Sequence, residues 1–552
     1  MASPLSAITH ACSDGVRVTA CPVCDRSHFL YLFETNGVRI EQCDHCGLHL
    51  SNPQPSDAEL TAIYSGGYVL GAGDPGLEAK WECLKGSTAD GYLHNIERYR
   101  AMHGQTGAAR ILEIGNGSGA FLRRALARGY EVTGVDCFNS QQANVATGIL
   151  EDRVLQNDRF DVCVLCDVIE HLRDPAQTLR RIRQLLTPGG VIFLATPSTD
   201  SWSSRVMRSS WVEFKPEHLY YFDVNNVTGL LAKCGFEDIY PTRGHKTLSL
   251  AYIAEHFRRF PTRPWSKWLC WMIDRLPDAL AHRPFSIVAS GMDVLARNSS
   301  SESDALQARK LSVIMPVYNE HKTFPIIMEK LRAKSLPGIA IEIIVIDSGS
   351  SDGTRESVLS YQGDPRVTIV LQGRPLGKGA AVRAGFERAT GDFIMIQDAD
   401  LEYDINDYDL LLEPLDTFAC PFVLGSRHTS VNGWKIRQFS DDLSVSILMN
   451  AAHVVLTRLF NTLYRQNIRD PFTMYKVFRR SCIYDMPFEC NRFDFDCELI
   501  AKLVRRGYRP IEIPINYKSR SFAEGKKIRF FRDPPTYVKA FLKYRFSRIQ
   551  EF

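Results

Sequence analysis

Three groups of residues have the types and spacing to do chemistry. Asp398 and Asp400 follow the apolar run "FIMI" (393–396), so one strand end carries two carboxylates toward a single crevice. A hard divalent cation held there, magnesium or manganese alike, bridges the phosphates of a nucleoside diphosphate and neutralises it as a leaving group. In "ILEIGNGSG" (111–119) an apolar run enters Gly115, Gly117 and Gly119. Such glycines permit a tight turn and let a ligand lie against backbone N–H groups at a helix start. Asp136 ends the next apolar run, seventeen residues after Gly119, where its carboxylate can take hydrogen bonds from ribose hydroxyls. Dinucleotide dehydrogenases share that geometry, so the glycines alone leave the cofactor open. Cys21, Cys24, Cys43 and Cys46 are spaced C-x2-C-x18-C-x2-C, which suits a closed tetrahedral thiolate site for structural zinc with no open position for catalysis.

Positioning these groups takes alternating strands and helices. From about Arg110 to Asn298, strand-like "RILEIG", "EVTGVD", "FDVCVLCDV" and "GGVIFLATP" alternate with helix-like "SGAFLRRALARGY" and "AQTLRRIRQLL". That order implies a doubly wound α/β sheet, with "FSIVASGMDVLARN" (285–298) as its final edge strand. A second α/β series starts at "KLSVIMPVYNE" and runs through "IEIIVIDSGSSDGT", "VTIVL", "GDFIMIQDAD" and "CPFVLGSRH". The expected organisation is a zinc ribbon at 18–55, a first α/β domain at 56–298, a linker at 299–310, a second α/β domain at 311–535 and a basic C-terminal helix at 536–552. Trp265, Trp268 and Trp271 share one face of a helix, and an aromatic stripe of this kind is expected in the core.

Bulk properties narrow the classes. The chain has 552 residues, too many for one hydrophobic core, and 45% apolar with 23% charged residues is the balance of a globular protein. No apolar run nears the roughly 20 residues that span a bilayer, and the N-terminus lacks a basic and apolar leader pattern, so the expected location is the cytoplasm. Residues 502–552 hold 14 Lys/Arg against 4 Asp/Glu, a local charge of +10 within a chain total of +3. The basic end favours phosphates or peripheral contact with the inner face of an anionic membrane, whereas the acidic remainder repels nucleic acid.

With "FDVCVLCDVIEHLRDP" (160–175), "LTPGGVIFLATP" and "KPEHLYYFD" (215–223), residues 20–298 resemble class I S-adenosylmethionine-dependent methyltransferases that carry a small cysteine-rich domain ahead of the catalytic one. The resemblance implies that Glu113, Gly115, Gly117 and Gly119 hold the methionine end of S-adenosylmethionine and Asp136 its ribose, with Asp158 toward the adenine. Methyl transfer to a sugar hydroxyl needs in-line positioning and loss of a proton, for which His218 and His171 are the candidate bases.

The segments "SVIMPVYNE" (312–320), "IVIDSGSSDGT" (344–354), "PLGKGAAVRAGFERATGD" (375–392), "DADLEYD" (398–404) and "VLGSR" (423–427) resemble inverting family 2 glycosyltransferases of GT-A fold. "RDPFTMYKVFRR" (469–480) and residues 493–528 look like the branch that includes dolichol-phosphate mannose synthase and polyprenyl-phosphate glycosyltransferases. The resemblance implies a nucleotide-sugar donor whose nucleoside lies against Pro316, Tyr318, Glu320, Asp347 and Ser350, with Lys378 beside it. Asp398 and Asp400 hold nucleotide and metal, with Glu402 as a third metal ligand. Arg427, Arg479, Arg520, Lys526 and Lys527 surround the phosphates of donor and acceptor. The acceptor is a polyprenyl phosphate or a glycan; for a glycan hydroxyl, Asp470 or Asp494 is the expected base. The whole reads as a bifunctional enzyme of one glycan pathway, with a non-catalytic binding role for the methyltransferase-like half as the alternative.

Overall fold

A computed structural model describes residues 15–65, 75–137, 145–147, 158–259, 264–288, 290–298, 309–428, 443–520 and 533–547. The chain divides into two compact units between residues 304 and 305.

The first unit opens with an antiparallel sheet of β1 (Phe29–Thr35), β2 (Val38–Cys43), β3 (His49–Ser51) and β9 (Tyr220–Tyr221), in that order. The cysteine segment is thus completed by a strand from far along the chain. Val38 and Ile40 pack with Trp211, Phe214 and Tyr221, which supplies the apolar core that a short ribbon lacks by itself. Asn226 Nδ2 donates to Cys46 O at 2.8 Å and Lys233 Nζ to Pro22 O at 2.9 Å, tying both cysteine knuckles to the same helix, Val224–Lys233.

The main sheet of this unit contains β4 (Arg110–Ile114), β5 (Glu131–Asp136), β6 (Val145–Thr147), β7 (Phe160–Cys166), β8 (Leu186–Pro197), β10 (Phe236–Arg243) and β13 (Gly291–Asn298). The strand order is β10-β13-β8-β7-β4-β5-β6, parallel from β8 to β6 and antiparallel at β13 and β10. Helices cover it because their apolar residues recur on one side. In Pro175–Leu185 the buried Leu179, Ile182 and Leu185 form that side, and Asp174 caps the start by accepting from Gln177 N at 2.8 Å.

Two sequence expectations change here. Segment 285–298 is two strands, not one: β12 (Phe285–Ile287) pairs with β11 (Lys246–Leu248), and β13 lies inside the main sheet with β10 outside it. The consecutive buried run Met292 to Ala296 is the signature of an interior strand. The tryptophan stripe is not core. Trp265, Trp268 and Trp271 are 43%, 59% and 52% exposed, while Cys270 and Ile273 of the same helix (Pro264–Ile273) pack on Ala254. The buried face is the adjacent stripe of smaller residues, and Trp271 instead carries the Arg275 guanidinium on its ring at 3.6 Å.

The second unit is built on a sheet of β14 (Arg309–Val317), β15 (Ile339–Asp347), β16 (Val367–Leu371), β17 (Phe393–Ile396), β18 (Phe422–Ser426), β19 (Lys476–Arg479) and β20 (Ile511–Pro514), ordered β16-β15-β14-β17-β19-β18-β20. Arg309 and Lys310, placed in the linker from sequence, already pair with Ile339 and Ala340 of β15; residues 299–308 lie outside the described residues. β14, β15, β16 and β17 are parallel, and β19 runs antiparallel between β17 and β18. The basic helix begins at Asp533, ends at Phe546 and belongs to this fold: Phe541 and Tyr544 are fully buried, and Phe541 O accepts from Tyr464 Oη at 2.8 Å. Among the described residues, no helix is long and apolar enough to cross a membrane.

Candidate functional sites

Both α/β sheets reverse direction beside their first central strand, β4 in one unit and β14 in the other. Ligand crevices of open α/β sheets form at such points, outside the carboxyl ends of the strands.

In the first unit the turn after β4 brings Gly115, Gly117 and Gly119 together with Asp136 at the end of β5. Gly117 N donates to Asp136 Oδ2 at 3.1 Å. Gly115 has a φ of +70°, and a Cβ there would stand 2.5 Å from Val168 Cγ2, so the turn admits no side chain. Gly119, also left-handed, starts the helix Ala120–Ala127 and aims its first N–H groups at the crevice. Glu113 is 2% exposed, and its Oε2 has no hydrogen-bond partner among the described residues. Burial, reinforced by Asp136, pushes its pKa up to about 8. An unmet carboxyl oxygen beside a glycine turn fits the ammonium end of an amino-acid-like cofactor.

Asp158 is not at this crevice. It pairs with Arg110 at 3.5 Å, at the amino end of β4, whereas the crevice lies at the carboxyl end. His171 and His218 do border it, with ring centroids 4.7 Å apart. Burial lowers His171 to about 4 and, with His171 beside it, takes His218 well below the usual value, so both are weak proton acceptors at neutral pH. Farther out, the four cysteines converge as expected: Sγ of Cys21 lies 3.4 Å from that of Cys46, and Sγ of Cys24 lies 3.5 Å from that of Cys43, all buried. Tetrahedral zinc with bonds of about 2.3 Å needs sulfurs roughly 3.8 Å apart, close to this arrangement.

In the second unit a cavity of about 1150 Å³ opens at the carboxyl ends of β14 and β17 and is lined by Pro316, Tyr318, Glu320, Lys378, Asp398, Asp400, Glu402, Arg427 and Arg520. The apolar strand "FIMI" buries every side chain and so fixes where the acidic turn begins. Asp398 pairs with Lys378 at 2.6 Å. Arg520 reaches Asp400 at 2.6 Å, Glu320 at 3.3 Å and Glu402 at 3.7 Å. Tyr517 Oη donates to Glu402 Oε2 at 2.9 Å. Burial raises Asp400 to about 7, with Asp398 and Glu402 adding repulsion and Arg520 opposing it. Burial works against the charge on Lys378, yet Asp398 and Asp496 hold its pKa above the ordinary lysine value. The cluster offers three carboxylates to a hard cation and several cations to phosphate oxygens.

Several sequence candidates do other work. Asp347 is fully buried, and its Oδ2 accepts from Arg355 Nε at 2.6 Å while Oδ1 accepts from Ser350 N at 3.2 Å; both residues stand behind the cavity wall. Asp470 is locked by Arg427, which donates from Nε and Nη2 at 2.8 Å each. Burial would raise Asp470, but the guanidinium holds it well below the usual carboxylate range, which makes it a poor base. Asp494 lies at the start of the helix Phe495–Arg505 and does not line the cavity. Arg479 pairs opposite Phe393, at the amino end of β17, so it lies under the sheet rather than among phosphates. Its Nη2 donates to Leu415 O at 2.5 Å, and its guanidinium sits over Phe418 at 4.3 Å. Lys526 and Lys527 lie outside the described residues. Sequence reasoning missed Asp496, which lines the cavity 3.6 Å from Lys476, and the aromatic wall of Tyr403, Phe472 and Tyr537. Asp496 stands two residues beyond Asp494 in "FDFD", and only the helix start decides which of them turns inward.

Comparison with known proteins agrees with this division. Residues 312–485 match the family described as glycosyl transferase family 2, and residues 88–240 match that described as methyltransferase domain. Curated relatives from Salmonella paratyphi A and Salmonella dublin, both undecaprenyl-phosphate 4-deoxy-4-formamido-L-arabinose transferases, are 30% identical over 227 residues, or 40% of this chain. The chain spans 64% of the length of these relatives. Among solved structures, glucosyl-3-phosphoglycerate synthase from Mycobacterium tuberculosis, in complex with Mn2+, UDP-glucose and phosphoglyceric acid, is 15% identical over 44% of this chain and 82% of its own, with a TM-score of 0.33. An S-adenosylmethionine-dependent methyltransferase from Mesorhizobium loti is 19% identical over 35% of this chain and 91% of its own, with a TM-score of 0.22. The chain therefore carries a family 2 glycosyltransferase domain and a methyltransferase domain.

Proposed function

We propose that the chain is a bifunctional enzyme: a metal-dependent inverting glycosyltransferase acting from a nucleotide-sugar onto a polyprenyl phosphate or glycan, joined to an S-adenosylmethionine-dependent methyltransferase of the same pathway. The observation that carries the first activity is the group of Asp398, Asp400 and Glu402 in one cavity with Lys378, Arg427 and Arg520. Asp398, Asp400 and Glu402 would hold magnesium or manganese, which would supply neutralising charge for the departing nucleoside diphosphate. The chain's own residues do the rest. Lys378 and Arg520 contribute positive charge along the phosphates, and the aromatic wall excludes water from the sugar.

The undecaprenyl-phosphate relatives support a phosphorylated lipid acceptor. A phosphomonoester whose second pKa is about 6 is ionised at neutral pH and attacks without a protein base, which agrees with Asp470 being locked away. For a glycan hydroxyl, Asp496 is a cavity-lining carboxylate outside the group of Asp398, Asp400 and Glu402. The methyl transfer reading rests on the glycine turn, the unmet oxygen of Glu113 and Asp136. The four cysteines support structural zinc that joins the two knuckles of the ribbon.

Mass spectrometry of products from UDP-, GDP- and dTDP-sugars with manganese and a short polyprenyl phosphate tests this. One donor yielding a glycosyl phosphoprenol is the expected result, heavier by one CH2 when S-adenosylmethionine is present. Donor hydrolysis without lipid transfer would move the acceptor to a soluble glycan. Absence of S-adenosylmethionine binding in equilibrium dialysis would make the first unit a binding module.

A further inference from the structure

The methyl-donor crevice is bordered by three side chains whose polar atoms are only half used. Glu170 and His171 lie on the short helical turn Ile169–His171 that follows β7, and His218 lies just ahead of β9. Leu219 N donates to Glu170 O at 2.8 Å and pins the two segments together. One potential ligand atom from each residue falls within 4.8 Å of the other two.

Two of the three, Glu170 and His218, keep a buried polar atom without a partner among the described residues. Glu170 Oε2 accepts from Thr196 Oγ1 at 2.9 Å, while Oε1 has no partner among the described residues. His171 Nδ1 lies 2.9 Å from Glu217 O and 2.8 Å from Tyr64 Oη; a carbonyl only accepts, so a proton on Nδ1 serves both contacts and leaves the lone pair on Nε2. His218 Nδ1 is buried and has no partner among the described residues. Glu170 and His218 are 2% and 3% exposed. Acceptors sealed away without a donor are costly, and a cluster of them calls for a cation.

We propose that Glu170, His171 and His218 bind a borderline divalent cation such as zinc, cobalt, nickel or manganese, at a site separate from the four cysteines and open on its crevice side. Two imidazoles and one carboxylate suit such ions, and a histidine that gives its second N–H to a backbone carbonyl, as His171 does to Glu217 O, is a usual outer-shell arrangement of a metal site. Three protein ligands leave further coordination positions. Val168, two residues before Glu170, packs on Gly115, so those positions adjoin the methyl-donor turn.

The role of the ion, though not its binding, rests on the methyltransferase reading. The substrate class it selects is an acceptor hydroxyl, alone or beside a second chelating oxygen. Coordinated to the ion, the hydroxyl releases its proton to water; the oxygen lone pair then takes the methyl group as the sulfonium S–C bond breaks, leaving S-adenosylhomocysteine.

Titration with Co2+ of the metal-stripped full chain, in a parent carrying Asp398→Asn and Asp400→Asn to silence the carboxylate site of the second unit, tests the site by absorption and calorimetry. The parent should take two equivalents, one of them with the intense thiolate charge-transfer band of a cysteine site. Glu170→Gln and His218→Asn added to it should each leave one equivalent, with that band unchanged. A single equivalent in the parent, or two retained after His218→Asn, would overturn the proposal, and the parent count decides even where a further variant fails to fold. Two equivalents without any S-adenosylmethionine binding would keep the site and sink the methyl-transfer reading.

Discussion

The two crevices place carboxylates at the ends of parallel strands but balance them differently. In the first, Glu113 is buried with one oxygen unmet and Asp136 takes a backbone N–H from the glycine turn. In the second, Asp398, Asp400, Glu320 and Glu402 are in contact with Lys378 and Arg520. A crevice whose buried carboxylate keeps an unmet oxygen suits a cationic ligand such as a sulfonium amino acid. One that already holds cations among its acids suits a ligand that brings both signs, a metal with a diphosphate. One architecture thus selects opposite ligands by what surrounds the strand-end acids, not by the acids themselves.

The strongest way to break this contrast is Asp400→Asn. It should lower sugar transfer by roughly 10²–10³-fold or more, the scale of losing a major electrostatic contact to the leaving group, and leave S-adenosylmethionine affinity unchanged. Paired turnover and dialysis measurements check it; loss of both would tie the two sites together. Gly115→Ala should act in the opposite direction, abolishing cofactor binding while donor hydrolysis persists, because its Cβ meets Val168 and its φ is left-handed.

Acidity sharpens the comparison more gently. Asp400, with a pKa of about 7 against 3.8 unperturbed, is protonated below neutrality and must ionise to take a metal. Manganese affinity should therefore rise by up to about tenfold per pH unit below 7 and level off above it. Because the folded state binds the extra proton, this group's contribution to stability is lost as pH rises from about 4 through 7. Glu113, at about 8, moves the matching window for cofactor binding to between about 7 and 9. Calorimetric titrations across pH separate the two. The smallest expected effect is that of Asp158→Ala, an exposed ion pair at the wrong end of β4: no change in cofactor affinity and less than about 1 kcal/mol in stability.

Sequence alone reached both folds, the four cysteines and the acidic turn, because each is local: a strand, then a turn whose residues share one side. What it missed depends on distant contacts. β13 was placed at the sheet edge since nothing in 285–298 announces that β10 will cover it. Arg479 and Asp470 carry the right charge for phosphates or catalysis, yet β19 delivers Arg479 beneath the sheet, and Arg427 consumes Asp470 from 43 residues away. The tryptophans were misplaced because spacing defines a face without saying which way it turns. Asp494 was named and Asp496 passed over for a related reason: where the helix starts decides which of the two carboxylates, two residues apart, enters the cavity.

The basic C-terminal stretch illustrates how a tally of charges differs from a field. Lys502 binds Glu498, Arg505 donates to Tyr544 O, Arg506 to Asp485 O, Arg520 to three acids and Lys543 to Glu489. Of these five among the fourteen cations counted from Lys502 onward, Arg505 and Lys543 set the terminal helix into the wall of the transferase, and Lys502, Arg520 and Lys543 face acids. The attraction this end exerts on an anionic surface is correspondingly weaker than +10 suggests, and added salt has fewer open charges to screen.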